Sequence, residues 1–344
     1  MLAAKTELKN AQKVKEYLLK KNLIHPDFLL VKEFNFLYFP LVGKKKSKKT
    51  VIPFAEIITT TFSFPQKEKT PSFEEILKGK LTQKELALLP KSQEIVGSIL
   101  ILEIPEELRK KEKMIADACL KLHHQIKTIV RKDHKHEGTY RTRKVVVLAG
   151  ENTKETIHHE GGIDIKVHLE KTYFSARSGN ERLRIAKQVK KDEEVLVMFS
   201  GVGVYPLVIA KHSSAQHISG VEINPFAHQY AKDNIVQNNL GHKITLYLGD
   251  VWKVLPNIKN KFDRIVMPLP KSGEDFLHLA LQKAKKGAMI HLYQFLKEKE
   301  IAGKKKHFIK RCKKLGFKIK VLGAVKCGQF SPRVFRVCFD MKVN

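Results

Sequence analysis

Glycine, carboxylate and proline residues at the ends of successive apolar runs give the first chemical signal in this sequence. Phe199-Ser200-Gly201-Val202-Gly203 follows an apolar run at 194–198, and the next short run ends on Glu222, 19 residues after Gly203. Glycines let a backbone approach its ligand closely, and an acid at that distance can accept hydrogen bonds from both hydroxyls of a ribose. A third run ends in Gly249-Asp250 and a fourth in Pro268-Leu269-Pro270. In an open α/β sheet the C-terminal strand ends form the ligand crevice, so the four features would share one site. Glu222 would hold the ribose and Asp250 would accept from an adenine amino group, with Ile223 and Val251 beside them in the wall. A glycine turn also serves as a plain strand-to-helix connection, and the pattern alone leaves both readings open. A nicotinamide dinucleotide site would continue Gly-x-Gly-x-x-Gly, but the third position here is Pro206. S-adenosylmethionine fits better, because it also uses Asp250.

These residues need a scaffold, and the hydrophobic pattern supplies one. Helical segments at 204–211, 225–238 and 276–285 alternate with strands at 218–222, 244–248, 262–267 and 288–293, which implies a parallel doubly wound sheet. A basic helix at 299–315 and a strand pair at 317–322 and 334–339 finish the chain. Upstream, a helical face over 5–22, strands at 28–32 and 36–42 and a β-branched run at 57–61 suggest a small α+β domain, 1–64. A Pro-containing linker, 65–71, leads to a middle α+β domain, 72–155. There the pattern predicts helices over 77–88 and 107–132 and strands over 97–104 and 145–151. A turn and a strand at 156–167 open the last domain, 156–344. Ser178-Gly179-Asn180 is helix-start chemistry, with Glu181 in the first turn as an ordinary cap partner or something more.

Composition narrows the partner. Among 344 residues, 65 Lys+Arg against 35 Asp+Glu leave a formal charge of +30, which points to a polyanion, nucleic acid ahead of an acidic membrane. No segment approaches the ~18–20 apolar residues of a membrane span. The basic start, 1–22, contains Glu7 and Glu16 and no arginine, so it reads as a domain helix and not as a transit peptide. Cys119, Cys312, Cys327 and Cys338 form no Cys-x-x-Cys pair, as expected of a reduced intracellular protein. His134, His136, His158 and His159 lack the cysteine or paired carboxylates that would complete a metal shell. The run Lys44-Lys45-Lys46-Ser47-Lys48-Lys49 is a solvated turn or a phosphate contact.

The sequence resembles the archaeal and eukaryotic tRNA (guanine-37-N1)-methyltransferases and the related enzymes of wyosine synthesis. The likeness is carried by the segment 95–105, Tyr140-Arg141-Thr142-Arg143, Leu148-Ala149-Gly150-Glu151, Tyr173-Phe174-Ser175-Ala176-Arg177, Glu181-Arg182-Leu183-Arg184, Phe199 to Gly203, Glu222-Ile223-Asn224-Pro225 and Pro268-Leu269-Pro270-Lys271. It implies a Rossmann-like class I methyltransferase domain behind a small N-terminal domain that touches tRNA and a middle domain. It also implies S-adenosylmethionine as cofactor, Glu181 as general base for guanine N1, Arg141 at O6, Tyr173 holding the target base, and Arg177, Asn224 and Lys271 on the substrate. A cytoplasmic monomer acting on tRNA, with no membrane and no metal, is the expected setting. The family usually has Ser-Pro-Arg at 175–177, often an acid at Val197, and in many members an asparagine at Pro268. Alternatives are C7-methylation of a wyosine precursor, alone or in addition, aminocarboxypropyl transfer on the same nucleotide, and a non-catalytic tRNA-binding protein.

Overall fold

The computed structural model describes residues 1–43, 51–67, 71–90, 93–133, 138 and 140–344. The lysine run at 44–49, His134, His136 and part of the 65–71 linker lie outside the described residues. Contacts divide the chain into two units, Met1–Ser72 and Phe73–Asn344.

The larger unit is organised by a seven-stranded sheet. Its spatial order is Ile244–Leu248, His217–Glu222, Glu194–Met198, Phe262–Met267, Ala284–Lys297, Val334–Val343, Ile319–Ser331. The first five strands are parallel to their neighbours and the last two pair antiparallel. A parallel strand is covered on both faces and must be apolar on both. In Glu194–Met198, Val195 and Val197 enter one core with Val204, Leu207 and Val208, whereas Leu196 and Met198 enter another with Leu277, Ile290 and Phe308. Val197, where the family resemblance implies an acid, is fully buried core. Strand order reverses between Glu194–Met198 and Phe262–Met267, which leaves a crevice at their C-terminal ends.

Glu94–Val96, Ile99–Leu102, Thr128–Lys132 and Val145–Gly150 form a second sheet in that order. Val96, Ile99, Ile101, Val130 and Val145 from one of its faces join the core beneath Val195 and Val197. The hairpin Glu155–Glu160 and Ile163–His168 bridges the two sheets, where the sequence pattern suggests only a turn and a strand. Ser98 N–H donates to Thr156 Oγ1 at 2.9 Å. A Cβ on Gly97 would stand 2.2 Å from the Ile157 carbonyl oxygen, so only glycine permits that approach.

Three local expectations change. The predicted helix over 107–132 is a 3-10 turn, Glu106–Lys111, a helix, Glu112–Leu122, and then the strand Thr128–Lys132. That strand runs parallel to Ile99–Leu102, and a parallel pair needs a crossover, which the shorter helix provides. The predicted helix over 77–88 is two short ones, Phe73–Leu77 and Gln83–Ala87, the second started by a Thr82/Glu85 capping box. The chain begins not as helix but as the strand Leu2–Glu7, between Phe36–Pro40 and Glu56–Thr59, and the helix is confined to Ala11–Lys20. Pairing with distant partners overrides local helical periodicity there. Pro65 and Lys67 are also tied back into this unit, through Leu29 N–H and the Asp27 carbonyl.

Arg264, on the strand Phe262–Met267, is almost fully buried. It donates to Glu193 at 2.7 Å and to the Gln188 carbonyl at 2.6 Å, and its third nitrogen meets His291 Nε2 at 2.7 Å. Arg264→Ala leaves Glu193 and His291 without their cation, so urea unfolding should register a loss of about 3–5 kcal/mol. A loss below about 1 kcal/mol would contradict this account.

Candidate active site

The strand ends open into a cavity of about 1680 Å³. The turn after Glu194–Met198 has positive φ at Phe199 (61°), Gly201 (59°) and Gly203 (80°). Gly203 starts the helix Val204–His212, and a Cβ there would lie 3.1 Å from that of Ala231. Glu222 fixes the turn: Gly201 N–H donates to one carboxylate oxygen at 2.7 Å and Asn224 N–H to the other at 2.9 Å. Burial pushes the Glu222 carboxyl above the ordinary range, and these backbone donors act against that shift. Asp250 ends the neighbouring strand and accepts from Trp252 N–H at 2.9 Å, capping the helix Val251–Val254.

The sequence-derived residues divide into those that line the cavity and those behind it. Phe199, Gly201, Glu222, Ile223, Asp250, Val251, Pro268, Leu269 and Lys271 line it, with Arg141, Tyr173 and Arg177 from upstream segments. The Arg141 guanidinium lies over the Tyr173 ring, 5.1 Å from its centroid. Ser200, Val202, Gly203 and Pro270 are not on the wall. Val202 is core, and Gly203 acts through backbone geometry. Asn224 reaches the wall, but its side-chain oxygen accepts from Phe226 N–H and its amide donates to the Lys171 carbonyl. Both ends of that amide are therefore committed to scaffolding.

Glu181 is 4 % exposed and stands a layer behind the lining residues. Arg184 donates to both of its oxygens, at 2.7 and 2.8 Å, and Tyr293 Oη donates at 2.6 Å. Tyr205 Oη in turn donates to Tyr293 at 3.0 Å. Arg184 reaches on to Asp340, which also bonds His291. Ser178 does not cap the helix Gly179–Gln188; its hydroxyl accepts from Arg336, a lining residue, at 2.6 Å. Sequence reasoning missed Tyr293, Arg336 and Asp340, which lie in apolar strands with no local signal. It quoted Arg184 in a motif without its partner, although the i, i+3 spacing from Glu181 was available.

His158 is not arranged as a metal ligand: its Nδ1 accepts from Gly97 N–H. Among the described residues, His291, Cys338 and Asp340 gather ligand-type atoms within 4.8 Å. The guanidiniums of Arg264 and Arg184 already hold His291 and Asp340, which opposes a further cation there.

Two carboxylates at adjacent strand ends, a glycine turn, and Phe199 and Phe276 in edge contact on the wall suit an adenosyl group, with acceptors for its hydroxyls and amino group and an apolar lining. This sheet order and crevice define a class I methyltransferase domain. Residues 156–322 match the TRM5/TYW2 methyltransferase domain, 73–153 the TYW2 N-terminal domain and 3–49 the tRNA methyltransferase 5 N-terminal domain. The chain is 34% identical to the tRNA (guanine(37)-N(1))-methyltransferase Trm5b of Pyrococcus abyssi, covering 100% of this chain and 99% of that one. The crystal structure of that Trm5b aligns with a TM-score of 0.73, at 34% identity over 100% of this chain and 99% of the other. Pyrococcus horikoshii TYW2, solved in complex with MeSAdo, aligns with a TM-score of 0.66 at 29% identity, over 79% of this chain and 97% of the other. The chain belongs to the TRM5/TYW2 methyltransferase family. Among the described residues no helix is long and apolar enough to cross a membrane.

The network behind the wall sets a pH dependence. Burial pushes His291 below its ordinary value. Burial would raise the Asp340 carboxyl, but hydrogen bonds from His291 and Arg184 hold it well below the usual carboxylate range. Both groups therefore take up protons at higher pH when unfolded than when folded, so their contribution is complete at neutral pH and is lost on acidification. His158, His168 and His228, also lowered chiefly by burial, act in the same direction. Urea unfolding should show stability falling from about pH 7.5 to about pH 5.5, around the ordinary histidine value of ~6.5. His291→Gln should shrink that slope, and an unchanged slope would remove His291 from the account.

Proposed function

We propose that this chain transfers a methyl group from S-adenosylmethionine to N1 of guanosine 37 in the anticodon loop of tRNA. The observation that carries this reading is the Arg141–Tyr173 pair facing the same cavity as Glu222 and Asp250, in a chain matched end to end by an enzyme of that name. The cofactor, when bound, supplies an electrophilic methyl group on a cationic sulfur. Glu222 accepts from its ribose, Asp250 from its adenine, and Phe199 flanks the ring.

Guanine N1 carries a proton, so it becomes a nucleophile only as that proton leaves. Negative charge then accumulates on O6, where Arg141, a permanently charged donor, stabilises it. Tyr173, stacked with Arg141, holds the plane of the base. Arg177 and Lys271, both exposed at the cavity, neutralise adjacent phosphates. Glu181 takes the proton. From behind the wall it reaches N1 only when the substrate or a bridging water passes Arg336, and such contacts tighten in the reacting complex. Arg184 and Tyr293 fix its orientation meanwhile. A base paired in a helix hides N1, so the target must be unstacked in a loop.

In this reading the Met1–Ser72 unit is an RNA-contacting module, which exposed Lys13, Lys15 and Lys20 on one helix support. One chain supplies every group named above, which supports a monomer as the working form; a cytoplasmic setting and no resident metal belong to the same proposal. A second reading, C7-methylation of a demethylwyosine nucleotide, is favoured by Pro268 where many relatives have asparagine. It also draws on the 34% identity, over 63% of this chain and 88% of the other, to Nanoarchaeum equitans Taw22, named a guanine(37)-N(1)/4-demethylwyosine(37)-methyltransferase.

Labelled cofactor and an unmodified tRNA transcript decide between them. Label recovered as 1-methylguanosine supports the first reading, and label accepted only by a tricyclic precursor supports the second. Glu181→Ala should lower kcat by roughly 10²–10⁴-fold with cofactor affinity unchanged; near-normal rates would remove Glu181 as the base. Glu222→Ala should weaken S-adenosylhomocysteine binding by about ten- to a hundredfold in calorimetry, the worth of a charge-assisted hydrogen bond. An unchanged affinity would move the ribose elsewhere.

A further inference from the structure

A pair of phenylalanines at the cavity has no part in the chemistry above. Phe295, on the strand Ala284–Lys297, and Phe330, on Ile319–Ser331, stack face to face with ring centroids 3.9 Å apart and planes at 26°. Both line the cavity, and Phe330 is 62% exposed. The edge strand is irregular here: pairing with Val334–Val343 shifts between Lys326 and Gln329 and again between Gln329 and Ser331. Bulges at a sheet edge re-aim side chains, and this one turns a large ring outward at a cost in apolar exposure.

We infer that the Phe295–Phe330 stack is a platform for an unpaired nucleobase next to the target guanosine. Three observations support RNA as the occupant. The cavity of about 1680 Å³ is larger than one cofactor needs, a small-molecule site typically spanning ~300–1,000 Å³. The pair also stands away from the cofactor wall. Its Phe295 strand lies three strands along the sheet from the strand ending in Glu222, roughly 14 Å at ~4.8 Å per strand. Finally, Arg177 and Lys271 are exposed at the cavity in a chain of charge +30, so a polyanion is drawn to the molecule and meets cations at the cavity mouth. An aromatic face accepts any base, so the platform would hold the flanking nucleotide without reading its identity and keep the target splayed away from it.

The inference rests on the tRNA reading, and its test reads binding separately from methyl transfer. A tRNA transcript carrying 2-aminopurine beside the target guanosine is titrated with full-length wild type, Phe330→Tyr and Phe330→Leu. Wild type and Phe330→Tyr should quench the probe. Phe330→Leu, which keeps apolar bulk but no ring, should leave it bright and bind roughly tenfold more weakly. Its salt dependence should match wild type, because stacking releases no counterions, and its S-adenosylhomocysteine affinity should be unchanged, which also reports a folded protein. Equal quenching and affinity in Phe330→Leu would overturn the inference. So would a wild-type dimer that Phe330→Leu turns into a monomer, since the face would then belong to a second copy. Quenching by a wild type that forms no 1-methylguanosine would keep the platform and reject the reaction assignment alone.

Discussion

The Glu222 carboxylate is the contact on which the cofactor side of the structure depends. One oxygen holds Gly201 N–H and the other Asn224 N–H, so a single side chain fixes the turn after one strand and the approach to the next helix. Without it, a turn that is strained at the positive-φ Phe199 would have no charge-assisted bond to offset that strain. Each carboxylate oxygen has a second lone pair, so the anchor of the turn can also accept from a ligand. Asn224 repeats the economy, capping the helix Pro225–Gln237 while holding the Lys171 carbonyl beside Tyr173. The segment that carries Tyr173 is thereby tied to the glycine turn.

Behind the cavity lining runs a continuous, largely buried polar chain, from Tyr205 through Tyr293, Glu181, Arg184, Asp340, His291 and Arg264 to Glu193. Burying that many charges is expensive, and each is tolerated because its neighbour is a partner of opposite charge or a hydrogen-bond donor. Such a network is rigid, because no member can move without leaving another unpaired. Glu181 therefore has a defined position before any substrate arrives, which suits the role of base proposed for it. The chain as a whole carries a formal charge of +30, and Arg177 and Lys271 are exposed at the cavity.

Much of this was legible in the sequence. The glycine turn and the two acids stood out because they break apolar runs at intervals fixed by the strand-helix-strand repeat, and the structure puts Gly201, Glu222 and Asp250 on one wall. The alternation from residue 194 onward corresponds element by element to the large sheet. The upstream half was harder. Its strands Leu2–Glu7 and Thr128–Lys132 lie in stretches with helical spacing, and only pairing with remote strands makes them extended. The family resemblance implies Asn224 as a substrate contact, and in the free chain its amide is bonded to Phe226 N–H and the Lys171 carbonyl.

Chain-local chemistry thus determined the layout of the strand ends by itself: where glycine is required, where a carboxylate follows a strand, and which faces are apolar. Tertiary structure alone decided that Glu181 stands behind the wall, because Tyr293 and Arg336 converge on that helix and on Ser178 before it from segments 112 and 158 positions away. It also decided that Phe295 and Phe330 meet, since their contact crosses an intervening strand and depends on two shifts of register. Periodicity reports which face of an element is buried. It carries no record of which distant side chain will be opposite, and that pairing sets the charge, the orientation and the reach of the residues around the cavity.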